Sequence, residues 1–200
     1  MRIPLLAAAT LIAAGVLAGC SPSPDPATGT SAESMLSERT DSMPDEANNT
    51  DVHFLGMMVP HHQQAIDMAD VLLASDVQDP EVRDLAQRIR DGQQRENEQM
   101  ATWAAEWGVD ADMEMHSRHI ANGMVSPGVY ESFTQLEGEE LRSRFLELMH
   151  FHHREVIAMT QDQVNNGGYG PLRDLATEMV QVQTAEMHEM EQMYGGVPTP

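Results

Sequence analysis

An internal repeat is the feature of this sequence that most constrains its fold. The segment from Phe54 to His62 reads FLGMMVPHH and returns from Phe145 to His153 as FLELMHFHH. A second segment begins with Arg-Asp-Leu-Ala at Arg83 and returns at Arg173, and a Gln, a Glu and a Met follow at the same distances in both copies. The sequence therefore predicts one helical hairpin used twice.

Side chains in both first segments step by three and four, the period of one helical face. Pro80 and Pro171 suit the first turn of the second helix in each hairpin, where the missing N–H costs nothing. Pro60 is expected either to kink the first helix or to mark its beginning. Short loops within hairpins and one long crossover between them predict an all-α, ferritin-like four-helix bundle. The predicted domain covers residues 51–195, with hairpin one at 51–108, the crossover at 109–137 and hairpin two at 138–195, and a short helix is expected around Val129–Leu136.

The N-terminal residues are typical of an export signal. Arg2 precedes an apolar stretch, and Leu17-Ala18-Gly19 leads into Cys20, the only cysteine of the chain. This pattern resembles a bacterial lipoprotein signal, which implies cleavage of residues 1–19 and attachment of a lipid to Cys20. Because the apolar stretch is too short for a transmembrane helix, we expect an exported chain held at the outer face of the cell membrane by its lipid alone. Residues 20–50 lack apolar periodicity and are expected to form a disordered tether.

Composition narrows the function classes. The net charge is −21 and the chain contains no lysine, so nucleic acid is not an expected partner. Methionine occurs 16 times and histidine 9 times, and their thioether and imidazole groups are metal ligands. A metal ion is therefore the expected partner. The chain carries no nucleophile elbow and no His-Glu-x-x-His motif, and we expect a protein that is not an enzyme.

The paired histidines of the repeat form the main candidate metal site. Met58 lies one turn before His61 and His62, so the three side chains can converge, and the second copy repeats the arrangement. An approximate twofold axis between the hairpins would bring four histidines and two methionines together. The second helices place glutamates in buried faces, where each must bond to histidine, water or metal. The candidate ligands are Met58, His61, His62, Glu96, Met149, His152, His153 and Glu186.

Copper is the metal that this donor set favours. Imidazole and thioether ligands without a thiolate suit Cu(I), and imidazole with oxygen also suits Cu(II). A second set in the crossover, formed by Met115, His116 and His119, is a candidate copper-loading site.

Two alternatives remain open. One is a metal-free helical interaction module, in which the same histidines and glutamates form a buried hydrogen-bond network. The more distant one is a di-metal redox protein. Carboxylate-bridged sites use two Glu-x-x-His motifs, and this chain offers one, from Glu147 to His150.

The repeated blocks also carry a family resemblance. Together with the stretch from Glu98 to Gly108, they closely resemble a bacterial exported family called domain of unknown function 305, over about Asp51 to Tyr194. The resemblance implies a ferritin-like bundle and, for some members, periplasmic copper binding and copper tolerance. In this sequence the residues at the family's motif positions, to which the resemblance assigns this binding, are Met58, His61, His62, Met149, His152 and His153.

We therefore expect a cell-surface lipoprotein that binds copper for sequestration or copper tolerance. The chain departs from the family pattern at two places. Arg142 stands where the first copy has the acidic Asp51, and Glu155 replaces a small residue after the second histidine pair.

Overall fold

Five helices make up the described part of the chain. The computed structural model describes residues 43–109 and 123–199. Four helices are long and one is short: α1 (Asn49–Ala74), α2 (Pro80–Trp107), α3 (Pro127–Phe133), α4 (Gly138–Asn166) and α5 (Gly170–Tyr194). These residues contain no strand, which confirms the predicted all-α class. The short helix expected near Val129 begins at Pro127 instead.

Helix α1 begins with a capping box. The side chain of Asn48 accepts from the backbone N–H groups of Thr50 and Asp51, and Asp51 accepts in return from the Asn48 N–H at 2.8 Å. These bonds satisfy N–H groups that no helical carbonyl can reach. The helix then runs through Pro60 without ending, so Pro60 does not mark its beginning.

The packed domain begins earlier than residue 51. Met43 and Ala47 contact the apolar core, and a Cβ atom on Gly168 would overlap the backbone oxygen of Glu46. These contacts correct the predicted end of the tether at residue 50, because residues 43–50 pack against the hairpins.

The turns of the two hairpins explain why Arg-Asp-Leu-Ala is repeated. The Arg83 guanidinium donates to the carbonyl of Leu73 in the last turn of α1, at 2.8 Å, and to that of Val77 just after the helix, at 3.2 Å. Arg173 donates to the carbonyl of Gly167 just after α4, at 3.3 Å. Carbonyl groups at helix ends lack helical partners, so each arginine closes the turn of its own hairpin.

The two hairpins are joined mainly through their first helices. Helix α1 packs against α2, and α4 against α5, while α1 and α4 meet between the hairpins and α2 and α5 contact each other little. Helices α1 and α4 run antiparallel. Asp51 at the start of α1 bonds to Gln163 near the end of α4, and Asp76 just after α1 bonds to the Gly138 N–H.

A buried polar layer divides the apolar core into two clusters. One cluster lies at the end that holds Phe54, Trp107 and Met179, and the other contains Leu85 and Phe145. Buried or nearly buried polar residues occupy the middle of each long helix between them. We call this set the histidine layer: His61, His62, Gln93, Glu96, Asn97, His152, His153, Gln183 and Glu186.

Several predictions concern residues beyond the described part of the chain. These are the signal segment 1–19, the lipid attachment at Cys20, the tether up to residue 42 and the crossover set of Met115, His116 and His119. Of the described helices, none combines the length and hydropathy needed to span a membrane.

Candidate metal centre

His61 and His152 lie against each other at the centre of the histidine layer. Their ring centroids are 3.6 Å apart and their planes are inclined by 32°. The two residues are 1% and 0% exposed. These residues hold equivalent positions in the two repeats, so the approximate twofold axis that relates the hairpins passes through their contact.

The second histidine of each pair bonds to a glutamate of its own hairpin. His62 Nε2 lies 2.8 Å from Glu96 Oε2, and His153 Nε2 lies 2.9 Å from Glu186 Oε2. Both histidine side chains are fully buried. Each copy of the repeat thus contains the same histidine–glutamate hydrogen bond. It links α1 to α2 in one hairpin and α4 to α5 in the other.

These bonds leave a lone pair on each ring. An ionised carboxylate only accepts, so Nε2 of His62 and of His153 carries a hydrogen, and in the neutral ring Nδ1 is then the acceptor. Neither Nδ1 atom has a hydrogen-bond partner among the described residues. Unpartnered buried acceptors are costly, and they are also the atoms with which neutral imidazole binds a metal.

Burial holds His152 in its neutral form. Desolvation lowers the pKa of His152 well below its ordinary value, and the neighbouring rings of His61, His153 and His62 lower it further when they are charged. A neutral ring keeps a lone pair at neutral pH, so no proton has to leave His152 before it can act as a ligand.

Amide side chains add further unsatisfied groups to the layer. Gln93 Oε1, Asn97 Oδ1 and both polar atoms of the Gln183 amide are buried without a hydrogen-bond partner in the described structure. Gln93 and Gln183 lie one turn before Glu96 and Glu186. The layer therefore contains more polar atoms than its own side chains satisfy, and a water or an ion would relieve this shortage.

The two candidate methionines lie on opposite sides of the layer. Met58 belongs to the cluster that contains Met100, and Met149 belongs to the one that contains Met190. Both are fully buried. The structure thus brings His61 and His152 together but separates Met58 from Met149, because α1 and α4 run in opposite directions.

The predicted convergence of all these ligands on one point is not seen. Within residues 43–109 and 123–199, no group of three His, Cys, Asp or Glu side chains is arranged to hold a metal ion. Glu96 and Glu186 bond to histidines, which is the role that metal-site carboxylates play when they orient a ligand and raise its basicity. The donor chemistry of the layer fits copper, since its orphaned donors are imidazole nitrogens with thioethers one helical turn away.

A second histidine cluster was missed by the sequence analysis. His150 Nε2 and His188 Nδ1 lie 3.2 and 3.3 Å from the two carboxylate oxygens of Glu191. These hydrogen bonds lower the pKa of Glu191, with the bond to His150 first. The spacing of three between His188 and Glu191 was the available signal. Glu147 does not join this cluster, because it bonds to Arg144 and Tyr194.

The sequence of this chain matches a known protein family. The family model described as Domain of unknown function (DUF305) matches residues 51–194. The chain belongs to this family. No functionally curated protein matches it.

Solved structures of similar proteins share the fold. A DUF305 fragment from Deinococcus radiodurans is 30% identical with a TM-score of 0.66, over 74% of this chain and 97% of that one. A presumed secreted DUF305 protein from Streptomyces coelicolor is 26% identical with a TM-score of 0.68, over 76% and 97%. CopM in its Cu(II)-bound form is 30% identical with a TM-score of 0.63, over 72% and 95%. CopM has also been solved with Cu(I) and with silver.

Proposed function

We propose that this protein binds copper in the histidine layer and sequesters it outside the cytoplasm, in support of copper tolerance. The observation that carries the proposal is the pair of buried Nδ1 atoms, on His62 and His153, that have no hydrogen-bond partner in the described structure. The copper-bound forms of CopM, a similar protein, support the choice of metal.

Each residue of the layer has a distinct role in this proposal. His61 and His152 form the central pair, and His62 and His153 offer Nδ1. Glu96 and Glu186 hold the other nitrogen of those rings and fix their orientation. The thioethers of Met58 and Met149 are the soft donors nearest along the helices, and they favour Cu(I) over harder cations. Copper is the cargo of the site, and we propose no catalytic step.

The remaining sequence-based expectations complete the proposal. The two hairpins form a ferritin-like four-helix bundle. The chain is exported and anchored through a lipid on Cys20, and the Met115, His116 and His119 set loads copper from the surroundings. The lipoprotein-like signal and the presumed secretion of the Streptomyces coelicolor protein support export.

A metal-free interaction module is the second candidate function. It is favoured by the bonds of His62 to Glu96 and of His153 to Glu186, each of which satisfies a buried ring nitrogen from within the same hairpin. In that case the layer serves to specify how the hairpins pack. A di-metal redox site gains no support, because the carboxylate of its only Glu-x-x-His motif bonds to Arg144 and Tyr194.

Copper binding to the full-length chain separates the two functions. The protein is equilibrated with Cu(I) under reducing conditions, and bound copper and the melting temperature are measured. A ligand at a hundred times its Kd stabilises the folded state by about 2.7 kcal/mol, which raises Tm by roughly 5–10 °C for a domain of this size. The His61→Leu/His152→Leu variant should lose this shift, whereas His188→Ala, a change at a 66% exposed side chain, should keep it.

Two results would contradict the proposal. One is a wild-type Tm that copper does not change. The other is an equal shift in wild type and in the His61→Leu/His152→Leu variant, which would place the binding outside the layer. A variant that lacks His116 and His119 removes the contribution of the crossover set.

A further inference from the structure

A groove separates the second helices of the two hairpins. Helices α2 and α5 contact each other little, and the space between them has a volume of about 740 Å³. Its walls include Gly92 and Glu96 from α2 and Val182 and Glu186 from α5. The hairpins are therefore closed along α1 and α4 and open on the opposite side.

The groove reaches the histidine layer through its two glutamates. Glu96 and Glu186 both line the groove, and both bond to histidines whose side chains are 0% exposed. The glutamate side chains themselves are 18% and 7% exposed. Each carboxylate thus has solvent on one side and a buried imidazole on the other.

The charges of the groove suit a cation. Asp91 and Glu178 line it together with the two layer glutamates. Two arginines also lie there, Arg95 and Arg88, and the Arg88 guanidinium is paired with Asp84 and Glu189. Four carboxylates thus face two guanidinium groups, and the lining stays negative overall. Carboxylates in a cleft of a chain with a net charge of −21 raise the local concentration of positive ions.

Gly92 leaves part of one groove wall without a side chain. Gly92 lies inside α2, and a Cβ atom there would meet nothing within 4 Å. Glycine in a helix interior is about 0.5–1 kcal/mol less favourable than alanine. Since no neighbour requires its small size, its effect in the folded protein is to leave this part of the groove unobstructed.

We propose that copper enters and leaves the histidine layer through the groove between α2 and α5. Glu96 and Glu186 are the carboxylates that first receive the ion, and they lie within hydrogen-bond reach of the rings that bind it afterwards. This inference rests on the proposed function, because it assumes that the layer is the binding site.

The test narrows the groove and measures the rate of copper transfer. Gly92→Trp places an indole where the structure has free space, and Gly92→Ala adds only a methyl group at the same position. Gln94→Trp puts the same indole on an exposed residue of α2 that does not line the groove. Cu(I) is supplied as the complex of a coloured chelator to each full-length variant, and both the transfer rate and the copper bound at equilibrium are recorded.

The expected result is slower transfer with unchanged occupancy. Gly92→Trp should lower the transfer rate by about tenfold, within the range over which association rates vary among variants of one site. Gly92→Ala and Gln94→Trp should match wild type. Val182→Trp, at a 49% exposed position of the opposite wall, should also slow transfer and serves if Gly92→Trp does not fold.

Other outcomes overturn the proposal in distinguishable ways. If folded Gly92→Trp and Val182→Trp take up copper as fast as Gly92→Ala, the entry route is wrong while the binding site stands. If the wild-type protein holds no copper at equilibrium, the proposed function fails and the route fails with it.

Discussion

Asp51 and Arg142 hold the same position in the two repeats, and each binds the turn of the other hairpin. Asp51 is fully buried and accepts from the N–H groups of Gly168 and Tyr169, between α4 and α5. Arg142 donates from Nε to Asp79 at 2.6 Å, at the start of α2, and this bond is the main cause of the lowered pKa of Asp79. The departure from the family pattern at Arg142 is therefore a structural one: opposite charges make equivalent crosslinks.

Asp51→Asn should destabilise the protein by about 1.5–3 kcal/mol, the range for hydrogen bonds to a charged group. The reason is that an amide NH₂ would face N–H groups, including those of Gly168 and Asn48, that now donate to a carboxylate. Denaturant unfolding measures the change. Asp162→Asn, at an exposed residue that accepts only from Asn166, should stay within about 0.5 kcal/mol of wild type. Equal unfolding free energies for wild type and Asp51→Asn would refute the crosslink.

Glu186→Gln should weaken copper binding by about 10- to 100-fold, as is usual when the residue that orients a metal-bound histidine is changed. Glutamine can still accept from His153, so the fold should be retained. Competition with a Cu(I) chelator gives the affinity. Glu98→Gln, at an exposed residue bonded to Gln94, is the matched control. If both substitutions leave the affinity at the wild-type value, Glu186 has no orienting role.

The stability of the metal-free protein should fall as the pH is lowered through the histidine range. Because the folded protein lowers the pKa of His152, the unfolded chain binds one more proton below the usual histidine pKa of about 6.5. The free energy of unfolding is therefore highest above this pH, where His152 is neutral in both states. Below it the free energy falls by at most about 1.4 kcal/mol per pH unit, the value for one proton.

Unfolding free energies of wild type and His152→Leu between pH 8 and pH 5 measure this contribution. Leucine cannot bind a proton, so the variant should lose less stability over this range than wild type does. Parallel pH profiles would show that His152 does not contribute to acid sensitivity.

Gly92→Ala should raise the free energy of unfolding by about 0.5–1 kcal/mol, because alanine loses less backbone freedom in a helix. The added Cβ meets no neighbouring atom, so nothing offsets this gain. Thermal unfolding provides the measurement. Gly123→Ala is the opposite case, since Gly123 has a φ of +90° and its Cβ would collide with Glu155. A Tm that falls for Gly92→Ala would mean that the groove is narrower than described.

The helices and their ends could be predicted from the sequence because their signals are local. Pro80 and Pro171 lie in the first turns of α2 and α5, as predicted. The contact of His61 with His152 was expected from the repeat, because equivalent residues of two symmetric copies meet where the twofold axis passes between them. Helical periodicity alone identified these residues as buried.

The remaining geometry depends on how the hairpins are oriented, which periodicity does not determine. The sequence could not show that Met58 and Met149 lie on opposite sides of the layer, since that follows from the antiparallel packing of α1 and α4. Nor could it show that Asp51 reaches the turn at Tyr169, a contact across 118 positions of the chain. The contact of His150 with Glu191 was missed because the two residues lie on different helices and the first repeat has Val59 in place of His150.

The division of the core into two clusters also bears on how the chain folds. Both hairpins contribute to each cluster: Leu55 and Leu172 belong to one, and Leu72 and Leu146 to the other. A single hairpin alone would expose the apolar side chains that it contributes to both clusters. Two helices are only marginally stable, so the loss of this buried area would leave the hairpin unfolded. If the chain is cut between the repeats, we therefore expect the two pieces to stay unfolded alone and to fold only when they are mixed.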